Sequence, residues 1–384
     1  MVMNTKRHAI SAAIALAFGV SATSVMAQDM VVKIGHVGPI TGNIAHLGKD
    51  NENGAKLAIE DLNAKGVTIG GKKVKFELVA EDDAADPKQG TAAAQKLVDA
   101  KVNGVVGHLN SGTTIPASKI YSDAGIPQVS PSAINPKYTQ QGFKTAFRVV
   151  ANDGQLGGTL GKYAVNTLKA KNIAVIHDAT AYGQGVADEF SKSAKKSGAK
   201  VVASEVTNNQ ATDFSAILTK VKAKNPEVVF YGGMDAQAGP MLRQMKQLGI
   251  NAKLMGGDGI CSEGLGKLAG DGMADGQVIC AEAGGVTGAK KDGMDKFKTR
   301  FKEKFGVEVQ VYAPYVYDSV MVIVEAMKKA NSAEPAKYLP ALAKINYDGV
   351  TGKIVFDDKG DIKNGSLTLY TYKAGKRDQI AVVQ

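Results

Sequence analysis

Two cysteines, five histidines and no apolar run long enough to span a bilayer are what this chain has little of, and each shortage closes off a class of function. The histidines show no metal-ligand spacing and there is no C-x-x-C, so neither a zinc centre nor a dithiol redox site is written in the pattern. Nucleotide motifs are also incomplete. Gly157-Gly158-Thr159-Leu160-Gly161-Lys162 resembles a phosphate loop, but the first glycine is misplaced and Tyr163 stands where a magnesium-binding hydroxyl belongs. Gly183-Gln184-Gly185 begins a glycine fingerprint that Asp188 fails to complete. Ser111 has Leu109, not glycine, two residues before it, so it is no nucleophile elbow. The chain therefore reads as a non-enzyme with no metal and no cofactor. Its lysines lie in short scattered groups such as Lys72-Lys73 and Lys195-Lys196, which fit a solvated face better than a nucleic-acid surface.

The first residues form a secretory signal peptide. Lys6 and Arg7 are its charged region, Ala9 to Val20 its apolar core, and Val25-Met26-Ala27 its small-residue cleavage site before Gln28. Cleavage near Ala27-Gln28 lowers the formal charge from +10 to +8, because residues 1–27 hold two basic and no acidic side chains. No cysteine follows the cleavage point closely enough to take a lipid, so the mature chain is expected to be soluble. In an oxidising compartment Cys261 and Cys280 either pair as a disulfide or remain two buried thiols; the sequence leaves both open.

The full chain of 384 residues is 44% apolar, enough for two lobes with separate cores. Apolar runs at 31–36, 74–80, 102–106 and 126–129 alternate with helical spacing at 51–62, 88–100 and 115–121. The same alternation is written again from about residue 155 to residue 256. Two doubly wound α/β lobes with mainly parallel sheets follow from that repetition. After Gln277 the pattern shifts to helices near 295–305, 315–330 and 335–345 and late strands near 354–356, 367–372 and 380–383.

Open parallel sheets bind ligands beyond the carboxyl ends of their strands. In the first half two such ends are Gly107-His108-Leu109-Asn110-Ser111-Gly112 and Val129-Ser130-Pro131-Ser132-Ala133-Ile134. Small hydroxyl residues before a helix offer backbone N–H groups and a partial positive charge to a carboxylate. Ser111 reads equally as a simple helix cap and Ser132 as a turn residue. In the second half, Ala179 to Gly183 precedes a helix, so Tyr182 can stand over a crevice, and Gly256-Gly257-Asp258-Gly259 ends a strand. Asp258 supplies a charge suited to an ammonium group, or caps a turn.

Taken together, Asp82-Asp83-Ala84-Ala85-Asp86-Pro87, Gly107-His108-Leu109, Pro116-Ala117-Ser118, Tyr182-Gly183, Tyr231-Gly232-Gly233 and Asp357-Asp358-Lys359-Gly360-Asp361 resemble the periplasmic branched-chain amino-acid binding proteins of ABC importers over nearly the whole mature chain. The resemblance implies a periplasmic receptor, acting as a monomer, that closes two lobes on leucine, isoleucine or valine and delivers it to a membrane permease with its ATPase. It implies lobes at 28–150 plus 281–352 and at 151–280 plus 353–384, with hinge crossings near 149–152, 277–283 and 348–358. By position, Ser111 falls where the family binds the ligand carboxylate, Ser132 where a carbonyl takes the ammonium, and Asp258 on the ammonium-binding acid, usually Glu. Tyr182 matches a tyrosine that closes over the ligand; Leu47, Leu109 and Tyr312 align with the side-chain pocket. Ala133 and Ile134 extend the Ser132 backbone, but Ile134 replaces a threonine and so loses a hydroxyl. Met234 replaces a tyrosine and leaves Asp235 beside it without an assigned role. Both departures keep open another amino acid, an amide or a short organic acid as ligand, and an exported enzyme is the remaining rival.

Overall fold

The apolar runs form two separate parallel sheets in the computed structural model, which describes residues 1–2 and 29–383. Residues 3–28, holding the expected signal peptide's charged, apolar and cleavage parts, lie outside the described residues.

The first sheet contains β1 (Met30–Gly38), β2 (Thr68–Ile69), β3 (Lys72–Asp82), β4 (Gly104–Gly107), β5 (Gln128–Ser130) and β6 (Ala146–Arg148), in the order β2-β3-β1-β4-β5-β6. All pairs are parallel except β2 with β3. Strands covered on both faces need apolar side chains on both, and Val32, Ile34, Val105, Val106 and Val129 are all fully buried. The second sheet takes β7 (Asn172–His177), β8 (Lys200–Val206), β9 (Val228–Gly232), β10 (Lys253–Gly256) and β11 (Val278–Glu282) in the parallel order β11-β10-β9-β7-β8. The hairpin β12 (Asn346–Gly349) and β13 (Gly352–Val355) stands apart, while β14 (Leu367–Lys373) and β15 (Lys376–Val383) add antiparallel to β11.

Strand order reverses between β1 and β4 in one sheet and between β7 and β9 in the other, and such a reversal opens a crevice at the carboxyl ends. The segments that follow these four strands are the ones carrying Leu47, Ser111, Tyr182 and Met234.

Three helices start well before their apolar spacing predicts: the first runs Ala45–Lys65 rather than from Asn51, the third Ser111–Asp123 rather than from Ile115, and a later one Ala289–Phe305 rather than from about residue 295. The added turns carry few apolar residues, so periodicity misses them; close packing holds them instead. In the first of these turns a Cβ on Gly48 would strike the Pro39 backbone.

The chain passes between the sheets three times. It leaves β6 for the helix Asp153–Asn166, which packs on the helix Ala181–Lys196 of the second sheet. It returns after β11, and the helix Ala313–Lys329 packs on the first helix and on β4 and β5. Asp318 of that long helix accepts the Val350 and Thr351 N–H groups at 3.1 and 2.7 Å, so the hairpin stays with the first lobe and the chain crosses between β13 and β14. Arg148 and Asp361 tie the first and third passages together by an ion pair in which the aspartate is partly exposed. Arg148 is fully buried and also donates to the Ala133 and Asn135 carbonyls and to Thr139.

Candidate functional site

The first-sheet side of the cleft is built by two strand ends leaning on each other. Ser111 is the first residue of its helix, not the cap; Asn110 occupies that place without a side-chain cap bond. The Ser111 hydroxyl instead accepts the Asn135 N–H at 3.2 Å, leaving its own proton to donate. Ser132 Oγ donates to the Leu109 carbonyl at 3.0 Å, and Ser130 Oγ accepts the Ala133 N–H at 2.9 Å. Ser111, Ser132, Ala133 and Ile134 are all buried. Leu47, Leu109, Ile134, Tyr182, Met234 and Tyr312 belong to one apolar cluster drawn from both lobes.

On the second-sheet side, Asp258 opens a short 3₁₀ turn after β10 and is 1% exposed. Its two oxygens accept from tyrosines of opposite lobes: Tyr182 Oη at 2.9 Å and Tyr312 Oη at 3.1 Å. Tyr182 Oη in turn accepts the Gly259 N–H at 2.8 Å. Burial lifts the Asp258 carboxyl to about 6, against those hydroxyls and nearby N–H groups, which favour the ionised form. Cys261 and Cys280 are joined by a disulfide, which fastens the end of this turn to β11.

Asp235, unassigned from sequence, is fully buried at the start of the helix Asp235–Gln247. Its Oδ2 takes the Ser262 hydroxyl and, across the cleft, His46 Nε2 at 2.7 Å. Burial works against charge on His46, but the hydrogen bond and charge of Asp235, with Asp50, raise its pKa overall. Two more bonds join the lobes. Asn43 Nδ2 donates to the Asn209 carbonyl at 2.9 Å and Asn135 Nδ2 to the Ala181 carbonyl at 2.7 Å. The lobes are thus in contact over the cleft. Beside Met234 the junction keeps a cavity of about 480 Å³, lined by Asn43, Ile44, Asn110, Asp178, Tyr182 and Gln237 among others.

Sequence reasoning missed His46 and Asp50. Asp50 is buried and accepts the N–H groups of Gln310, Val311, Tyr312 and Ala313 at 2.8–3.2 Å. Asp50 thereby seats Tyr312 against Asp258 although Asp50 and Tyr312 lie 262 positions apart. Nothing local marks Asp50 as a cap, because the helix start it serves belongs to a distant part of the chain. Among the described residues no group of three or more metal-ligating side chains comes together, and no helix is long and apolar enough to cross a membrane.

A family model described as periplasmic binding protein matches residues 31–377. A Brucella abortus protein named Leu/Ile/Val-binding protein homolog 1 is 37% identical over 376 residues, covering 98% of each chain. A Pseudomonas aeruginosa protein named for binding leucine, isoleucine, valine, threonine and alanine is 36% identical, covering 93% of this chain and 94% of its own. Among solved structures, the branched-chain amino acid transporter substrate binding protein LivJ of Streptococcus pneumoniae, in complex with isoleucine, superposes with a TM-score of 0.83. It is 28% identical, over 92% of this chain and 99% of that one.

Proposed function

The chain belongs to the periplasmic binding protein family, and from that premise we propose that it captures a branched-chain amino acid between its lobes and hands it to a membrane ABC permease. The observation that carries this reading is the division of charge across the cleft. Asp258, buried between tyrosine hydroxyls, is the acid for an ammonium group. Opposite it, the Ser111 hydroxyl and the backbone of Ser132, Ala133 and Ile134 serve the carboxylate and the remaining ammonium proton. Leu47, Leu109, Met234 and Tyr312 enclose the side chain. Hydrogen bonds to charged groups contribute about 1.5–3 kcal/mol each and burial of a leucine-sized side chain about 1.5–3, enough after ordering costs for micromolar binding or better. His46–Asp235 and Tyr312–Asp258 are the contacts that hold the closed form, and the three passages between sheets are its hinge. The exported, periplasmic location and the permease with its ATPase belong to the same proposal.

A second reading, a ligand with a polar side chain, is favoured by one feature. Gln237 Oε1 and Asn110 Oδ1 are buried acceptors without partners, and both residues line the 480 Å³ cavity. A thermal-shift screen of the mature protein against the twenty amino acids, short amides and organic acids, followed by calorimetry, separates the two. Leucine, isoleucine and valine should give the largest rises in melting temperature; ligand at a thousand times Kd adds about 4 kcal/mol. Ser111→Ala should weaken their binding by about tenfold, or about 1.4 kcal/mol. Response to polar amino acids alone favours the second reading, and response to amides or organic acids alone overturns both.

A further inference from the structure

The turn that carries Asp258 does not hold itself in place. It is a single 3₁₀ turn, Asp258–Ile260, closed by the Cys261 N–H on the Asp258 carbonyl at 3.0 Å. Gly256 and Gly257 precede the acid and Gly259 follows it. So short a turn among glycines leaves the position of the carboxylate to contacts from outside. The next residues supply them, all toward one side. Cys261 is bridged to Cys280 of β11, and its carbonyl accepts Arg377 Nη1 at 3.0 Å. The Ser262 carbonyl accepts the Tyr372 hydroxyl at 2.6 Å, and the Glu263 carboxylate accepts Arg377 Nε at 2.8 Å. A Cβ on Gly266, in the short helix Leu265–Ala269, would run into the Gly375 carbonyl. Tyr372, Gly375 and Arg377 all belong to the β14–β15 hairpin, which the chain adds after its third passage.

Arg377 is the member of this clamp that also reaches the other lobe. Its side chain is 4% exposed and lies 4.8 Å from the centre of the Tyr370 ring. Besides Cys261 and Glu263 it meets Glu282 Oε2, with Nη1 donating at 3.0 Å. The other oxygen of Glu282 accepts the Tyr315 hydroxyl at 2.9 Å. Tyr315 lies in the first turn of the helix Ala313–Lys329, three residues after Tyr312. Glu282 ends β11, and a Cβ on Gly284, just beyond it, would run into the Tyr315 ring. One helix start of the first lobe therefore reaches the acid twice: directly through Tyr312, and from behind through Tyr315, Glu282 and Arg377.

We propose that Arg377 is a positioning residue of the binding site: it clamps the segment behind Asp258 and, through Glu282, ties that clamp to Tyr315 of the opposite lobe. The arrangement of the lobes and the placement of the ammonium acid are thereby set together. This inference rests on the amino-acid reading and deepens it. A carboxylate that meets an ammonium group must be held to about 0.5 Å, and a planar guanidinium fixed by three acceptors supplies that rigidity. By linkage, whatever closure does for the clamp, the clamp does for closure.

The test compares the mature protein with Arg377→Met, which keeps an apolar stem over Tyr370, and with Tyr315→Phe. Two quantities are read well below the melting temperature: leucine affinity by calorimetry, and hydrogen–deuterium exchange of residues 257–264 beside that of β9. In Arg377→Met leucine affinity should fall at least about fivefold, since a displacement of about 1 Å costs up to a hundredfold. Exchange over 257–264 should quicken while β9 stays as in wild type. In Tyr315→Phe affinity should fall at least about threefold, and the double variant should bind within about twofold of Arg377→Met, because both contacts act through Glu282. A merely structural arginine would lower the melting temperature and quicken exchange in both segments, leaving leucine affinity alone. A smaller loss of affinity in Arg377→Met, quickened exchange shared by β9, or losses that multiply in the double variant overturns the inference. If Arg377→Met does not fold, Tyr315→Phe decides: loss of leucine affinity together with quicker exchange over 257–264 sustains the inference, and the absence of either refutes it. Failure of the wild type to bind any amino acid would instead strike the parent reading, and the exchange comparison would still judge the clamp.

Discussion

Replacing Asp258 by asparagine should strengthen the fold and ruin the site at once. The carboxyl is held at about 6 against 3.8 in its ordinary setting. A folded chain that grips a proton more tightly than the unfolded chain loses relative stability as pH rises between those values, and at pH 7 the full cost is present. At about 1.4 kcal/mol per tenfold in the proton equilibrium, that cost is roughly 3 kcal/mol. Asparagine removes the charge but keeps one acceptor oxygen, so one of the two tyrosine hydroxyls must turn to accept from the amide. The net gain is then roughly 1–2 kcal/mol, seen as a higher melting temperature without ligand. The same change removes the charge that meets an ammonium group in a buried site, worth about 2–5 kcal/mol, or roughly thirtyfold to several thousandfold in Kd. Differential scanning calorimetry of the unliganded variant and isothermal titration with leucine read the two effects separately. A variant that melts lower than wild type, or that binds leucine with unaltered affinity, refutes the electrostatic account of Asp258.

Binding should also follow pH in two directions. Below about 6, Asp258 takes a proton and affinity falls. Above the raised pKa of His46 the cross-cleft pair with Asp235 loses its charge, since the stabilisation from a raised histidine is complete below its unpaired value and is lost as pH rises through the paired one. Leucine titrations from pH 5 to 9 should therefore trace a bell whose alkaline limb flattens in His46→Gln. The Cys261–Cys280 bridge, 19 residues apart, should contribute about 3 kcal/mol, so that urea midpoints with and without reductant differ; coincident midpoints would remove it from the stability of the second lobe. Asp361→Asn leaves the fully buried Arg148 guanidinium without its carboxylate and should cost about 3–5 kcal/mol by chemical denaturation, whereas Arg148→Met with Asp361→Leu should cost less than either single change.

Much of the candidate site was legible because its residues sit where strands end. Ser111, Ser132, Tyr182 and Asp258 each follow an apolar run within a few residues, and strand, turn and small residue in succession mark a crevice from local spacing alone. The resemblance to a family then implied which of those ends would serve a carboxylate and which an ammonium group. Helix starts were read late at Ala45 and Ser111, where backbone packing against Pro39 and the Asn135 contact take the place of apolar periodicity.

What the amino-acid order determined by itself is the alternation of strand and helix, the two lobes, and the residues that stand at the strand ends, because each depends on neighbours a few positions away. The tertiary structure alone decided which of those residues meet. Asp50 reaches Tyr312 across 262 positions, and His46 reaches Asp235 across 189. Periodicity carries no information at such separations, and the desolvation that raises the cleft acids exists only once both lobes have folded around them.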